Sequence, residues 1–383
     1  MSINNLLSPI KIRGVELPNR IVVPPMCQYS AHEGYVDDWH LVNLGRFAIG
    51  GAGLIITEAT AVQKNGRITH GCPGLWADEQ IIGHLRIAQF ILRNGAIPGI
   101  QLGHAGRKAS TQRPWYGNGP LNEDDFRRGD MPWKTVAPSA CSVGEGWTIP
   151  EELSEEKISR LIGDFVTAAQ RAVRAGYKVI ELHGAHGYLI HSFLSPISNQ
   201  RSDKYGGELS GRMRLAIEIS DAVRQSIPDE TPLFFRVSST DNIENGWSIE
   251  DSVKLAKELK QVGVDLIDCS SGGISGAATA AAGKRMPGYQ VPFADKIKQK
   301  AKIMTMAVGL ITHPDQANQI IESEQADLVA VAREALFNPM WAAHAAQYLH
   351  QDKQFTLWPK QSRWWLERRE RSSEFYKPEL NSD

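Results

Sequence analysis

Eight short runs of apolar and β-branched residues recur along the chain, separated by amphipathic stretches of helical spacing. They are NRIVVPPM (from Asn19), GLIITEAT (Gly53), AIPGIQLG (Ala96), YKVIELHG (Tyr177), PLFFRVSS (Pro232), DLIDCSSGG (Asp265), KIMTMAVGL (Lys302) and ADLVAVAREAL (Ala326). Continuous apolar runs of this length suit strands buried on both faces, as in a parallel sheet covered by helices. The stretches between them carry helix punctuation. SEEKISRLIGDFVTAAQRAVRAG opens on Ser154, with acids in its first turn, and closes at Gly176. SIEDSVKLAKELKQVG pairs Ser248 with Asp251 as a capping box and stops at Gly263, and GRMRLAIEISDAVRQSI fills the slot before it. Eight such alternations predict an α/β chain folded as a single (β/α)8 barrel over residues 1–383. A doubly wound open sheet is the alternative, and it needs a reversal of strand order that a sequence does not display.

A barrel builds its chemistry where strands end. Those ends read Pro25-Met26-Cys27, Glu58-Ala59-Thr60, Gln101-Leu102-Gly103, His183 with His186, Arg236, Gly272-Gly273, Val308-Gly309-Leu310 and Arg333-Glu334. Small residues and glycines let a flat ligand approach the backbone. Gln101 and Arg236 can read the polar edge of a heterocycle. Gly309 and Arg333 follow the seventh and eighth strands, the usual phosphate corner of the fold. Singly, each has an ordinary structural reading: a turn glycine, an arginine paired with an acid. Jointly they fit a planar phosphorylated cofactor, with flavin mononucleotide (FMN) the natural candidate. Two long connections, His104 to Pro150 and His186 to Gly211, leave the same face. Loops this long in a compact domain are usually lids or binding loops, and the aromatics of the first argue against disorder.

The stretch IELHGAHGYLIHSFLSP, from Ile180, ends a buried strand in two imidazoles and a phenol. His183 and His186 could be zinc ligands, but Glu181, the nearest further candidate, has no evident ligand role. They could be core histidines satisfied by backbone. The third reading is a pair of N–H donors aimed at one oxygen, polarising a carbonyl and stabilising an enolate. Tyr188, two residues beyond, could then protonate the adjacent carbon. That is equipment for reducing an activated alkene.

Formal net charge is -1, so no basic face for nucleic acid is implied. No apolar run reaches the ~18 residues of a membrane span. The first twenty residues show no signal-peptide pattern, and a cytoplasmic protein is expected. Cys27, Cys72, Cys141 and Cys269 are far apart and form no CxxC pair, which argues against a zinc ribbon, a cluster or a disulfide framework. Core packing is expected for the last three.

Five segments, LPNRIVVPPMCQYSA, IQLGHAGRKAS, IELHGAHGYLIHSFLSPISNQRSDKYGG, GRMRLAIEI and AREALFNPMW, run from the first strand to the last. Together they resemble the old yellow enzyme family of FMN-dependent ene-reductases, within it the xenobiotic-reductase and thermophilic-like subgroup. The resemblance implies non-covalent FMN at the barrel mouth. Pro24, Pro25, Met26 and Cys27 match the segment beside the flavin ring, and Ala59 and Gln101 the residues on its polar edge. Arg236 matches the cation near N1, where an arginine favours the negatively charged reduced flavin. Gly309, Leu310, Ala332 and Arg333 match the phosphate site. His183 and His186 match the pair holding the substrate carbonyl, Tyr188 the proton donor and Tyr29 a further active-site phenol. Cys27 stands where other members carry Thr and matches a thiol that tunes the flavin.

Two departures stand out. The phosphate motif, usually Gly-Arg, is Ala332-Arg333, which retains the amide provided φ is negative. Val308 stands where the subgroup can carry a large aromatic, and a smaller side chain there would open the substrate pocket. The tail segment SRWWLERRER resembles the piece that a neighbouring subunit inserts into the site, with Trp365 the better match and Trp364 the alternative; packing on its own barrel is the other reading. The implied activity is ping-pong: NADPH or NADH reduces the flavin and leaves, then flavin N5 delivers hydride to the β-carbon of an α,β-unsaturated carbonyl compound while Tyr188 protonates the α-carbon. Nitro-compounds are further candidate substrates. A homodimer or tetramer with shared sites is implied, with no metal, nucleic acid or membrane partner.

Overall fold

The computed structural model describes residues 4–276 and 285–373. Its centre is a closed barrel of eight parallel strands: β1 (Ile21–Val23), β2 (Leu54–Ala61), β3 (Ile97–Gly103), β4 (Val179–Gly184), β5 (Leu233–Ser238), β6 (Leu266–Ser270), β7 (Met304–Ala307) and β8 (Leu328–Ala330). Each coincides with one of the eight apolar runs, β2 running one residue past its own to Ala61. Closure is explicit, because β8 pairs back onto β1 with Ala330 opposite Val22. The open-sheet alternative is thereby excluded.

Helices α1 (Asp38–Ile49), α2 (Ile81–Arg93), α3 (Glu155–Arg174), α4 (Leu209–Ser226), α5 (Ile249–Gln261), α6 (Val291–Ala301), α7 (Pro314–Glu322) and α8 (Trp341–Tyr348) alternate with the strands. The expected caps are present. Ser154 accepts from the Lys157 amide at 3.3 Å, and Ser248 and Asp251 form a reciprocal box on α5. Leu161, Phe165, Ala168 and Ala172 of α3 are fully buried at i, i+4, i+7 and i+11, one stripe facing the sheet.

Two apolar layers result. A large one lies between strands and helices. A smaller one fills the barrel's lower interior with Val22, Leu54, Ile56, Val179, Phe234, Leu266, Met306 and Leu328. A hairpin of Ile10–Ile12 and Val15–Leu17 adds Ile12 and Leu17 to that inner layer, closing the barrel's N-terminal end. Each such side chain contributes ~1.5–3 kcal/mol by burial, so the lower barrel supplies stability and the upper end is left for chemistry. No helix among the described residues is long and apolar enough to cross a membrane.

Candidate active site

Side chains alternate along a strand, so counting by two from the inner apolar layer finds what faces the upper interior. On β3 this is Gln101, on β4 Glu181 and His183, on β5 Arg236 and Ser238, and on β6 Asp268 and Ser270. Register brings them together: Gln101 lies opposite Glu181, His183 opposite Arg236, and Arg236 opposite Asp268. Gln101 Nε2 donates to Glu181 Oε1 at 2.8 Å, and Arg236 Nε lies 3.1 Å from Asp268 Oδ2. Two carboxyls share one guanidinium in a dry layer. Burial therefore pushes both upward, Glu181 to about 8 with the Asp268 charge adding to the effect. Glu181 thus has a place in the interior that sequence reasoning did not assign.

The loop after β4 is pinned from several sides. The His186 amide donates to Ser238 Oγ at 2.9 Å, and the Gly187 amide to His191 Nδ1 at 2.8 Å. His191 Nε2 lies 2.9 Å from the buried Asp241. His186 is held at φ +61°, a left-handed conformation costly for a residue with a Cβ and concentrated at functional sites. The His183 ring centroid is 5.2 Å from that of His186 and 5.0 Å from that of Tyr188, both nearly perpendicular. Burial, reinforced by Arg236, lowers both imidazoles well below their ordinary value, so both are neutral. His183 Nδ1 accepts from the Ala185 amide at 3.2 Å, which leaves the proton on Nε2. His186 Nε2 is 2.7 Å from Ser270 Oγ. When Ser270 donates there, Nδ1 carries the other free N–H. Two neutral rings can then each offer one donor. Burial lifts the Tyr188 phenol well above its usual range and keeps it protonated.

The segment from Pro24 to Tyr29 forms the adjacent wall. The Gln28 amide donates to Glu58 Oε2 at 2.7 Å, and Gln28 Nε2 to the Met26 carbonyl at 3.0 Å. The β2–β3 register shifts between Thr57 and Thr60. This bulge re-aims the strand end, a common device beside active sites, and Ala59 shares a small cavity with His183 and Tyr188. Burial pushes Glu58 up to about 8 against the pull of the Gln28 and Tyr29 amides. Burial, then Glu58, pushes the Cys27 thiol well up, so it is a neutral, polarisable group and not a thiolate nucleophile. Tyr29 takes φ +52° and meets the Trp115 indole edge at 6.0 Å.

The other half of the mouth is a cavity of about 380 Å³ lined by Arg236, Ser270, Gly309, Leu310, Ala332 and Arg333 among others. Gly309 has φ +129°, and an added Cβ would come within 3.1 Å of the Tyr289 ring. Ala332 has φ -95°, so the alanine needs no glycine conformation. Arg333 makes no ion pair among the described residues. A guanidinium without a carboxylate at one end, and Arg236 with a half-satisfied polar layer at the other, fit a long ligand with a phosphate at one end and a polar ring at the other. FMN meets that description: Gly309, Leu310, Ala332 and Arg333 would hold its phosphate, and Arg236 and Gln101 its ring edge. Ser270 belongs to both halves, lining the cavity and bonding His186.

One expectation needs correction. Cys141 is partly exposed, not core. Val308 lies in the barrel interior and in the wall of the mouth cavity, beside Arg236 and Ser270. Trp364 and Trp365, on the helix Lys360–Ser373, are 47% and 67% exposed, which speaks against their packing into the side of their own barrel. Sequence reading missed Ser238 and Ser270, which period-two counting along β5 and β6 would have found. It also missed Trp133, which packs with Ile68 against Tyr188 from the long β3 loop.

Comparison with known proteins agrees with this geometry. The sequence model of the NADH:flavin oxidoreductase / NADH oxidase family matches residues 5–352. An NADPH dehydrogenase of Bacillus subtilis is 44% identical over 347 residues, covering 90% of this chain and 95% of its own. NADH:flavin oxidoreductase FG08077 of Gibberella zeae is 44% identical over 347 residues, covering 87% and 83%. Among solved structures, 2-naphthoyl-CoA reductase in complex with 2-naphthoyl-CoA superposes with TM-score 0.80 at 27% identity over 90% of this chain; this chain spans about half of that one, 52%. Morphinone reductase in complex with tetrahydroNAD superposes with TM-score 0.73 at 25% identity over 91% of both chains. With the barrel closed, a mouth shaped for a phosphorylated flavin and near-full-length relatives of this kind, the chain belongs to the NADH:flavin oxidoreductase / NADH oxidase family, the old yellow enzyme family of FMN proteins, and is an NAD(P)H-dependent flavin oxidoreductase.

Proposed function

We propose that the protein is an ene-reductase acting on α,β-unsaturated carbonyl compounds. The observation that carries this is the convergence of two neutral imidazoles and a protonated phenol on one spot of the mouth. When bound, FMN supplies hydride exchange, from NAD(P)H to the β-carbon of the alkene. The chain's own residues do the rest. His183 Nε2–H and the free N–H of His186 hold the carbonyl oxygen and stabilise the negative charge that develops there. Neutral rings suit the task, since they donate without trapping the product as a tight ion pair. Tyr188 delivers its proton to the α-carbon. Cys27 and Tyr29 border the same space, and Arg236 places positive charge beneath it. Both substrates need one face of the site, which makes the kinetics ping-pong.

The pair is tested by titrating p-hydroxybenzaldehyde, whose phenolate mimics the enolate, and following its long-wavelength charge-transfer band. His183→Ala and His186→Ala should each weaken binding roughly 10- to 150-fold, the loss of one charge-assisted hydrogen bond at ~1.5–3 kcal/mol. Unchanged affinity in both would remove them from this role.

We further infer a cytoplasmic homo-oligomer in which one barrel unit, residues 1–383, lends its tail to a neighbour. Trp365 is the freer indole: Trp364 meets it edge-on at 4.5 Å and is itself covered by Arg368 at 3.2 Å. Trp365→Ala should raise the KM for small enones. Mixing it with His183→Ala under subunit exchange should restore part of the activity, because one site of each mixed dimer is complete. Full activity of Trp365→Ala alone, or no rescue despite exchange, would refute the shared site.

A further inference from the structure

Two cations are buried side by side just beneath the mouth, on the turn Gly106–Lys108 after β3. Arg107 is 3% and Lys108 2% exposed. Buried charges normally meet an opposite charge. Among the described residues neither forms an ion pair; the hydrogen bonds of both go to carbonyl oxygens. Arg107 donates to Ile274 O at 2.7 Å and to Ser142 O at 3.2 Å. Lys108 Nζ donates to His186 O at 3.0 Å and to Gly273 O. An arrangement that leaves an ammonium without a carboxylate stabilises little by itself. What it does is tie the β4 loop to the β6 loop.

The contact is built to close tolerance. A Cβ on Gly187 would lie 2.2 Å from Gly273 O and 2.9 Å from Lys108 Nζ, and one on Gly273 would lie 2.7 Å from His186 Cα. Only glycine at both positions lets the two loops meet around the lysine head. His186 is thereby fixed at three points: its amide by Ser238, its ring by Ser270 and its carbonyl by Lys108. The carbonyl bond acts on the residue that holds φ +61°.

We propose that Lys108 is a positioning residue that holds His186 in its left-handed conformation and so aims the imidazole at the substrate oxygen; this rests on the ene-reductase reading above. Of the three ties, only this one is ionisable near neutrality. Burial, then Arg107, lowers Lys108 to about 7. The groups facing it are Arg107 on its own turn and the neutral His186 from the β4 loop. The His191–Asp241 pair lies further back, with Asp241 acting on Arg107, and Gly273 of the β6 loop offers a carbonyl. The ammonium is present below that pKa and lost as pH rises through it, which weakens its pull on both carbonyls.

The test uses the FMN holoenzyme, with K108R retaining the charge and K108M removing it. Phenolate affinity and charge-transfer band position are measured for p-hydroxybenzaldehyde, and the reoxidation rate with 2-cyclohexenone is followed against pH. K108M should bind the phenolate roughly tenfold or more weakly with a displaced band. Wild-type reoxidation should fall as pH rises through the lysine's range, and K108R should lack that step because arginine stays charged. If K108M loses flavin, the K108R pH profile decides. Wild-type-like binding by K108M, or an unaltered pH step in K108R, overturns the proposal. Failure of the wild type itself to bind the phenolate or to be reoxidised would sink the ene-reductase reading first, and the role of Lys108 with it.

Discussion

Tyr188→Phe is expected to slow enone-driven reoxidation of the flavin by roughly 10²–10⁴-fold, the usual worth of a positioned general acid. Flavin reduction by NAD(P)H should be nearly unchanged, because no proton is delivered to carbon in that half-reaction. The phenol is 7% exposed, packed with Ala105 and Ala109, and burial keeps it protonated across the working range of pH. Removing the hydroxyl alters neither this packing nor the neighbouring imidazoles. Stopped-flow measurement of the two half-reactions separates the effects. Equal losses in both, or none in either, would place the acid elsewhere.

Arg236→Met is the second large effect, and it is one of stability as well as of chemistry. Asp268 is fully buried and has no other cation beside it among the described residues. Stripping one partner from a buried pair leaves the other charge uncompensated, at ~3–5 kcal/mol. Urea midpoints should fall accordingly, and the variant should hold FMN poorly. Adding Asp268→Leu ought to recover most of the stability, since a buried pair replaced by apolar groups is often neutral. It should not recover the flavin's potential, which depends on the missing cation. A single variant as stable as wild type would show that Asp268 is already protonated in the folded protein.

The barrel was legible because its strands are continuous apolar runs and its helices carry Ser154 and Ser248 at their starts. The hairpin was also written in the sequence, as IKIRGVEL with its alternation about Gly14, but three-residue strands give a weak periodic signal. At the site, His183, His186, Tyr188, Gln101, Arg236, Gly309 and Arg333 could be found at strand ends, and the structure gathers them around one mouth. Other features could not be read off. The left-handed turn at His186 is imposed by contacts with the ends of β5 and β6 and with Lys108, not by local preference. The bulge at Thr57–Thr60 depends on the partner strand. Arg107 and Lys108 lie in a long polar connection, and it is tertiary packing that buries them.

Whether this flavin oxidoreductase passes its electrons to activated alkenes is decided by one anaerobic experiment. NADPH is added until the flavin is bleached, excess is removed, and 2-cyclohexenone is then mixed in. The expected result is stoichiometric return of the yellow colour with cyclohexanone as product, fast in the wild type and slow in Tyr188→Phe. A bleached enzyme that returns to yellow only on admission of oxygen, across a panel of enones, would contradict it.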